Sequence, residues 1–294
     1  METETKGEIL IDLQRRTDML SAIYLLATAG LVLLFRSRVP QWGIFVGIHL
    51  LLSFILLCGR MLFPFRRLPF LLQLLRDWYP LLGFMLLYKE VELLAAAFGN
   101  WGLTELIQQL ETRLFQGHPS IYLSEHLAWV LLSEYLHLCY FSYMVLVPVV
   151  GGYWYFTGRT AAFRELLFLV CLTYYISYLF FILFPVDSPF YLFDALGEPS
   201  AGHFFYNLVH FASERGGARG GAFPSSHVSV SVVVWLTAWF NQRRLAYLLI
   251  PIVVGVILAT VYGRFHYALD SIAGLAFGGL IFVIHRIGFW PGHE

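Results

Sequence analysis

Charge is scarce in this 294-residue chain: Asp, Glu, Lys and Arg make up 13% of it, against 59% hydrophobic residues. That shortage excludes an ordinary soluble domain, which carries about a quarter charged residues. Neither sign dominates, because 19 basic and 19 acidic side chains cancel, and nothing in that balance suggests a nucleic-acid partner. Cysteine is also rare. Cys58, Cys139 and Cys171 all fall inside apolar segments, and an odd, buried set excludes a disulfide framework. The start, Met1 to Arg16, is polar and has no short apolar stretch before a small-residue cleavage site, so no removable signal peptide is expected. Internal repeats and low-complexity tracts are missing too.

What the chain does have is long apolar blocks. Blocks of about 20 residues span a bilayer core as helices, because lipid offers backbone polar groups no partner. The expected fold is all-α: a polytopic membrane protein with about eight transmembrane helices, in contact with the lipid bilayer. The spans are Met19–Phe35, Trp42–Phe63, Leu71–Tyr88, Leu127–Val150, Phe163–Pro185, Ser226–Phe240, Ala246–Val261 and Ala268–Ile287. Leu103–Gln116 alternates apolar and polar residues at helical spacing and is expected to lie along the membrane surface. One long loop, Asp187–Phe223, ends in a glycine-rich run around Arg215 and Arg219. With eight spans, 12 of the 19 Lys and Arg residues share the side of the termini, among them Lys6, Arg60, Arg66 and Arg67. The positive-inside rule puts that side in the cytoplasm. The expected location is a bacterial inner membrane, with the opposite face periplasmic or exterior.

Two motifs fall on that opposite face: Phe223-Pro224-Ser225-Ser226-His227, and Val261 to Asp270 with His266 inside it. Two histidines, a carboxylate and nearby arginines are the parts needed to move a phosphoryl group through a covalent histidine intermediate. His266 is the candidate nucleophile. Asp270, one helical turn on, can hold the proton on its other ring nitrogen. His227 is the candidate general acid, since histidine titrates near neutral pH. Pro224 to His227 should open the sixth span, where free N–H groups make an anion site. Ser225 and Ser226 add hydroxyls there, and Arg219 and Arg264 add guanidinium forks for phosphate. Neither motif has metal-ligand spacing, so no metal and no cofactor is expected.

At these residues the chain resembles the type-2 phosphatidic acid phosphatase superfamily of membrane lipid phosphatases and phosphotransferases. The family's Pro-Ser-Gly-His motif is matched by Pro224, Ser225 and His227, with Ser226 in place of Gly. Its last motif is matched by Tyr262, His266-Tyr267, Asp270 and Ala273-Gly274. The resemblance implies a six-helix core, here residues 67–294, with residues 1–66 as a two-helix N-terminal extension. It also implies a lipid phosphate as substrate and a non-cytoplasmic active site. The chain departs from the family at Thr260, where an Arg is usual, and at Phe184–Phe190, which has no basic residue where the first motif belongs. These departures make it more similar to the inositol phosphorylceramide synthase-like branch, which passes a phosphoryl headgroup to an alcohol. A transporter or scaffold that keeps a phosphate pocket is the non-enzymatic alternative.

Two other groups have structural explanations. Arg76, Asp77, Lys89, Glu90 and Glu92 in the third span are expected at the bundle interior or interface, with Arg76 and Asp77 able to pair. Glu134 and His137 form a Glu-x-x-His pair with no second copy, which points to a buried hydrogen bond rather than a metal bundle.

Overall fold

The computed structural model describes residues 2–62, 69–98, 102–198 and 200–288, apart from the side chains of residues 2–12, 60–62 and 98. Eleven α-helices run through these residues: α1 Glu2–Leu34, α2 Trp42–Leu62, α3 Phe70–Phe98, α4 Leu103–Phe115, α5 Pro119–His126, α6 Val130–Phe156, α7 Thr160–Leu183, α8 Phe204–Gly216, α9 Ser226–Asn241, α10 Arg243–Tyr262 and α11 Ala268–Gly288. No strand forms among them, and the nearest thing to a sheet is one parallel bridge between Val186 and Gly221. The boundary expected between residues 66 and 67, the end of the second span, Arg66, Arg67 and the side chains of Lys6 and Arg60 lie outside the described residues.

Six segments are long and apolar enough to cross a membrane: Leu13–Leu34, Trp42–Gly59, Val130–Phe156, Thr160–Leu183, Arg243–Tyr262 and Ala268–Gly288. The other two expected spans, α3 and α9, are helices that fall outside that length and apolarity. α9 has 16 residues, which is about 24 Å of helix, short of a hydrocarbon core about 30 Å thick. α3 is 29 residues long and runs on past Tyr88 to include Lys89, Glu90 and Glu92. Its charges are not paired as expected. Arg76 bonds Asp18 of α1, while Asp77 accepts from Gln14 at 3.0 Å and from Tyr155 at 3.1 Å. The long loop also contains an unexpected helix, α8. Glu134 explains it, because its carboxylate accepts the backbone N–H groups of His203, Phe204, Phe205 and Tyr206 at 2.6–3.2 Å. Four orphan donors of a helix start are thereby satisfied. His137 bonds the Ser133 carbonyl at 2.7 Å, so Glu134 and His137 do not pair with each other.

The core gathers around α7 and α9. α7 packs against α1, α3, α6, α9 and α11, and α9 against α6, α7, α10 and α11. The N-terminal helices share this core: Tyr24 stacks on Tyr175 at 4.5 Å, and the Tyr175 hydroxyl donates to Ser21 at 2.9 Å. α9 alternates Val and Ser and is buried over most of its length. Gly274 and Gly278 let α11 approach it closely, because a Cβ at either position would sit 2.5 Å from the Ser225 or Ser229 carbonyl oxygen. Small residues four apart allow that backbone contact between membrane helices. The contact fixes the start of α9 against the second and third turns of α11.

Candidate active site

The end of α7, the starts of α9 and α11 and the end of α10 meet at one end of the bundle. A strap ties them together. The Val186 N–H donates to the Gly220 carbonyl at 3.1 Å, and the Ala222 N–H donates back to Val186 at 3.0 Å. The Gly220 N–H donates to Asp187 Oδ1 at 3.2 Å, and the Asp187 N–H to Thr104 Oγ1 at 3.0 Å. The strap thus presents the Ala222 carbonyl to the second histidine motif.

That motif is shaped by how α10 stops. Arg264 follows the Gly263 cap with φ +59°, a left-handed conformation that is uncommon for a large side chain. The guanidinium holds the turn in place. Nη2 and Nε donate to Ser124 Oγ at 2.9 and 3.3 Å, and Nη1 donates to the Asp194 carbonyl at 2.7 Å. After the turn, the His266 N–H reaches back to the Thr260 carbonyl at 2.8 Å. The Thr260 hydroxyl itself bonds Ser271 at 2.9 Å.

His266 is buried, with 3% of its surface exposed. Its Nδ1 lies 2.9 Å from the Ala222 carbonyl oxygen and 3.5 Å from Asp270 Oδ2. A carbonyl can only accept, so the proton sits on Nδ1 and the lone pair on Nε2. The closer partner is therefore the backbone of the strap, and the carboxylate stands behind it. Asp270 Oδ2 also accepts the Tyr267 N–H at 2.9 Å, and its buried Oδ1 has no partner among the described residues. His266 Nε2 faces His227 Nδ1 at 3.2 Å. His227, half-buried, is stacked on Tyr140 (4.8 Å between centroids, 23°), and Tyr143 packs beside it at 4.3 Å.

α9 starts at Ser226, where the expected span does, but Pro224 lies before the helix rather than in its first turn, and Ser225 is the N-cap. The Ser225 hydroxyl accepts the Val228 N–H at 3.4 Å, and its own N–H donates to the Asp270 carbonyl at 3.0 Å. The amides of Ser226 and His227 are beyond the reach of any intrahelical carbonyl and sit beside the two imidazoles. Ser225 and Ser226 are both buried.

The two arginines are held elsewhere. Among the described residues neither guanidinium bonds an imidazole. Arg219, 53% exposed, lies 3.7 Å from Asp187 and over the Tyr191 ring. It lines a polar cavity of about 550 Å3 together with Glu92, Thr104, Glu105, Gln108 and Asp187. That cavity comes close to the motif through Gln108, which donates to the Tyr267 hydroxyl at 2.9 Å. Burial raises the pKa of that phenol, so Tyr267 stays a neutral hydroxyl. The start of α11 is fixed by Glu111, which accepts the Ala268 N–H at 2.6 Å and bonds His118 at 2.8 Å.

The structure brings together His227, His266, Asp270, Ser225 and Ser226, which the sequence had marked out. Ala222 gave no sequence signal, because its part is played by a backbone atom, and nothing in the sequence marks out Tyr140 and Tyr143 among 17 tyrosines. Among the described residues no group of three or more His, Cys, Asp and Glu could hold a metal ion.

Residues 105–284, more than half the chain, match the family model of the PAP2 superfamily. No curated protein and no solved structure matches the chain.

Proposed function

Because the chain belongs to the PAP2 superfamily, and is therefore a phosphatase-type lipid phosphate enzyme embedded in a membrane, we propose that His266 and His227 transfer the phosphoryl group through a phosphohistidine. The observation that carries this reading is the contact of two imidazoles from segments 39 residues apart, with the Nδ1 proton of one committed to a backbone carbonyl. That arrangement leaves the His266 Nε2 lone pair directed at His227 Nδ1, between the two rings.

In the proposed cycle the substrate phosphate parts the two rings. His266 Nε2 forms a bond to phosphorus as the bond from phosphorus to the lipid oxygen breaks. His227, protonated, gives its proton to that departing oxygen, and the lipid alcohol leaves. The imidazolium formed on His266 is stabilised by the Ala222 carbonyl and by Asp270. The Ser226 and His227 amides and the two serine hydroxyls receive the equatorial oxygens, as preorganised donors do for developing negative charge. Of the two arginines, the exposed Arg219 is the one assigned to turn toward them. Arg264 is already committed to Ser124 and Asp194, and we assign it to holding the turn that presents His266. In the second half, His227 takes a proton from water, whose oxygen bonds phosphorus as the P–N bond breaks, releasing phosphate.

A second reading replaces water with an alcohol, as in the inositol phosphorylceramide synthase-like branch. The polar cavity beside Gln108 and Tyr267 favours it, because hydroxyl-rich headgroups suit a lining of carboxylates, an amide and a guanidinium. In both readings we place the site away from the cytoplasm, on the positive-inside count with α3 and α9 taken as crossing. The test uses purified protein with a lipid phosphate, with and without alcohols. Free phosphate without an acceptor supports hydrolysis, and product formed only with an alcohol supports transfer. Unchanged turnover in His266→Ala would overturn both.

A further inference from the structure

A second cavity, of about 620 Å3, lies between α1, α2 and α3, far from both histidine motifs in sequence and lined by neither of them. Its size falls in the range of ligand-binding pockets. Its walls are almost entirely apolar, and Leu52, Ile55 and Leu86 at its edge are exposed, so hydrocarbon fits it and water does not.

One feature of the lining conflicts with an empty hydrocarbon slot. Glu90 is more than nine-tenths buried. Its Oε2 lies 3.1 Å from His49 Nε2, and His49 Nδ1 lies 3.2 Å from Thr28 Oγ1. Its Oε1 is buried with no hydrogen-bond partner among the described residues. A buried acceptor without a donor is strongly destabilising, and an ionisable group inside a membrane is by default a functional one.

We propose that this slot binds a neutral membrane lipid bearing a hydroxyl, with its chain along the apolar walls and its O–H donated to Glu90 Oε1. The charges around the slot select that class. The carboxylate disfavours an anionic headgroup. Lys89 and Arg76 also line the cavity, the ammonium held by the Gly217 carbonyl at 2.8 Å and the guanidinium by Asp18, and they disfavour a cationic one. A lipid alcohol is what hydrolysis of a lipid phosphate releases and what a transferase of this kind would consume. That role rests on the proposed function, but the binding does not. Glu92 and Gly217 link the slot's outer end to the site: the Arg219 N–H meets Glu92 Oε1 at 3.4 Å, and the strap continues from there to Ala222.

The test is photolabelling of the full-length protein in nanodiscs, with a diacylglycerol carrying a diazirine on one chain and with its methyl ether, mapped by mass spectrometry. Labels are expected on Leu52, Ile55 or Leu86, with the alcohol favoured over the ether by about tenfold, the value of a hydrogen bond to a charged group. Gly83→Leu should fill the slot without a clash, since a Cβ there meets open space, and should remove the labels. Glu90→Leu should abolish the preference for the alcohol. Equal labelling by alcohol and ether in the wild type, or labelling that survives Gly83→Leu, would overturn the proposal. His266→Ala should leave the labelling unchanged, so failure of the catalytic reading can be told from failure of this one.

Discussion

Replacing Asp270 with Asn tests how the catalytic imidazole is held. The Ala222 carbonyl, at 2.9 Å, keeps the proton on His266 Nδ1 whatever stands at position 270. The amide oxygen of Asn can still accept the Tyr267 N–H that Asp270 Oδ2 takes now, and its NH2 falls where Oδ1 lies unpartnered. What disappears is a formal charge 3.5 Å from the ring. At an effective dielectric of about 20 that charge is worth ~5 kcal/mol to an imidazolium as an upper limit. The Ala222 dipole and local relaxation offset part of it, so a fall in kcat of about 100- to 1,000-fold is expected. The assay is steady-state release of phosphate from a lipid phosphate in mixed micelles, beside His266→Ala as the zero. If Asp270→Asn loses as much as His266→Ala, the strap carbonyl does not fix the tautomer. If it loses less than threefold, the carboxylate does not face the charge that develops, and the argument fails from the other side.

Other expectations follow from the packing. Gly278→Leu puts a Cβ 2.5 Å from the Ser229 carbonyl oxygen and forces α11 off α9; overpacking of this kind costs about 1–3 kcal/mol, readable as a lower melting temperature in detergent. Arg264→Gly relieves the left-handed backbone but releases Ser124 and Asp194. A positioning role predicts that kcat falls while KM changes little, whereas a rise in KM alone would return Arg264 to phosphate binding. His210, on α8, is pushed down to about 4 by burial, with His137 adding to the effect. The unfolded chain therefore takes up a proton on this residue below about 6.5 that the folded chain refuses until about 4. Stability should fall as pH drops through that window, and His210→Phe should flatten the fall in a series of thermal melts.

The sequence made the helices legible because length and apolarity alone decide what can cross a bilayer. The surroundings of α3 and α9 were less legible. The charges of α3 find partners on α1, α2, α6 and the strap, none of which is local in sequence, and α9 is 16 residues long and buried over most of its length. α8 was hidden because its start depends on a carboxylate, Glu134, 69 residues earlier. His227, His266 and Asp270 could be singled out, since histidines at helix ends with a carboxylate one turn on are a local pattern. Ala222 could not, because the working atom is a backbone oxygen placed by a bridge between two loops. The setting of Arg264 was hidden for a similar reason: spacing puts it near His266, but its φ of +59° goes with a side chain that bonds Ser124 on α5.

The most direct test of the central claim is to quench the enzyme during turnover of a lipid phosphate labelled in the phosphorus and to map the protein-bound label. An acid-labile, base-stable phosphoryl group on His266, absent from His266→Ala and accumulating in His227→Ala with a good leaving group, is the predicted result. Full turnover with no label on residue 266, or label carried by another side chain, would contradict the account.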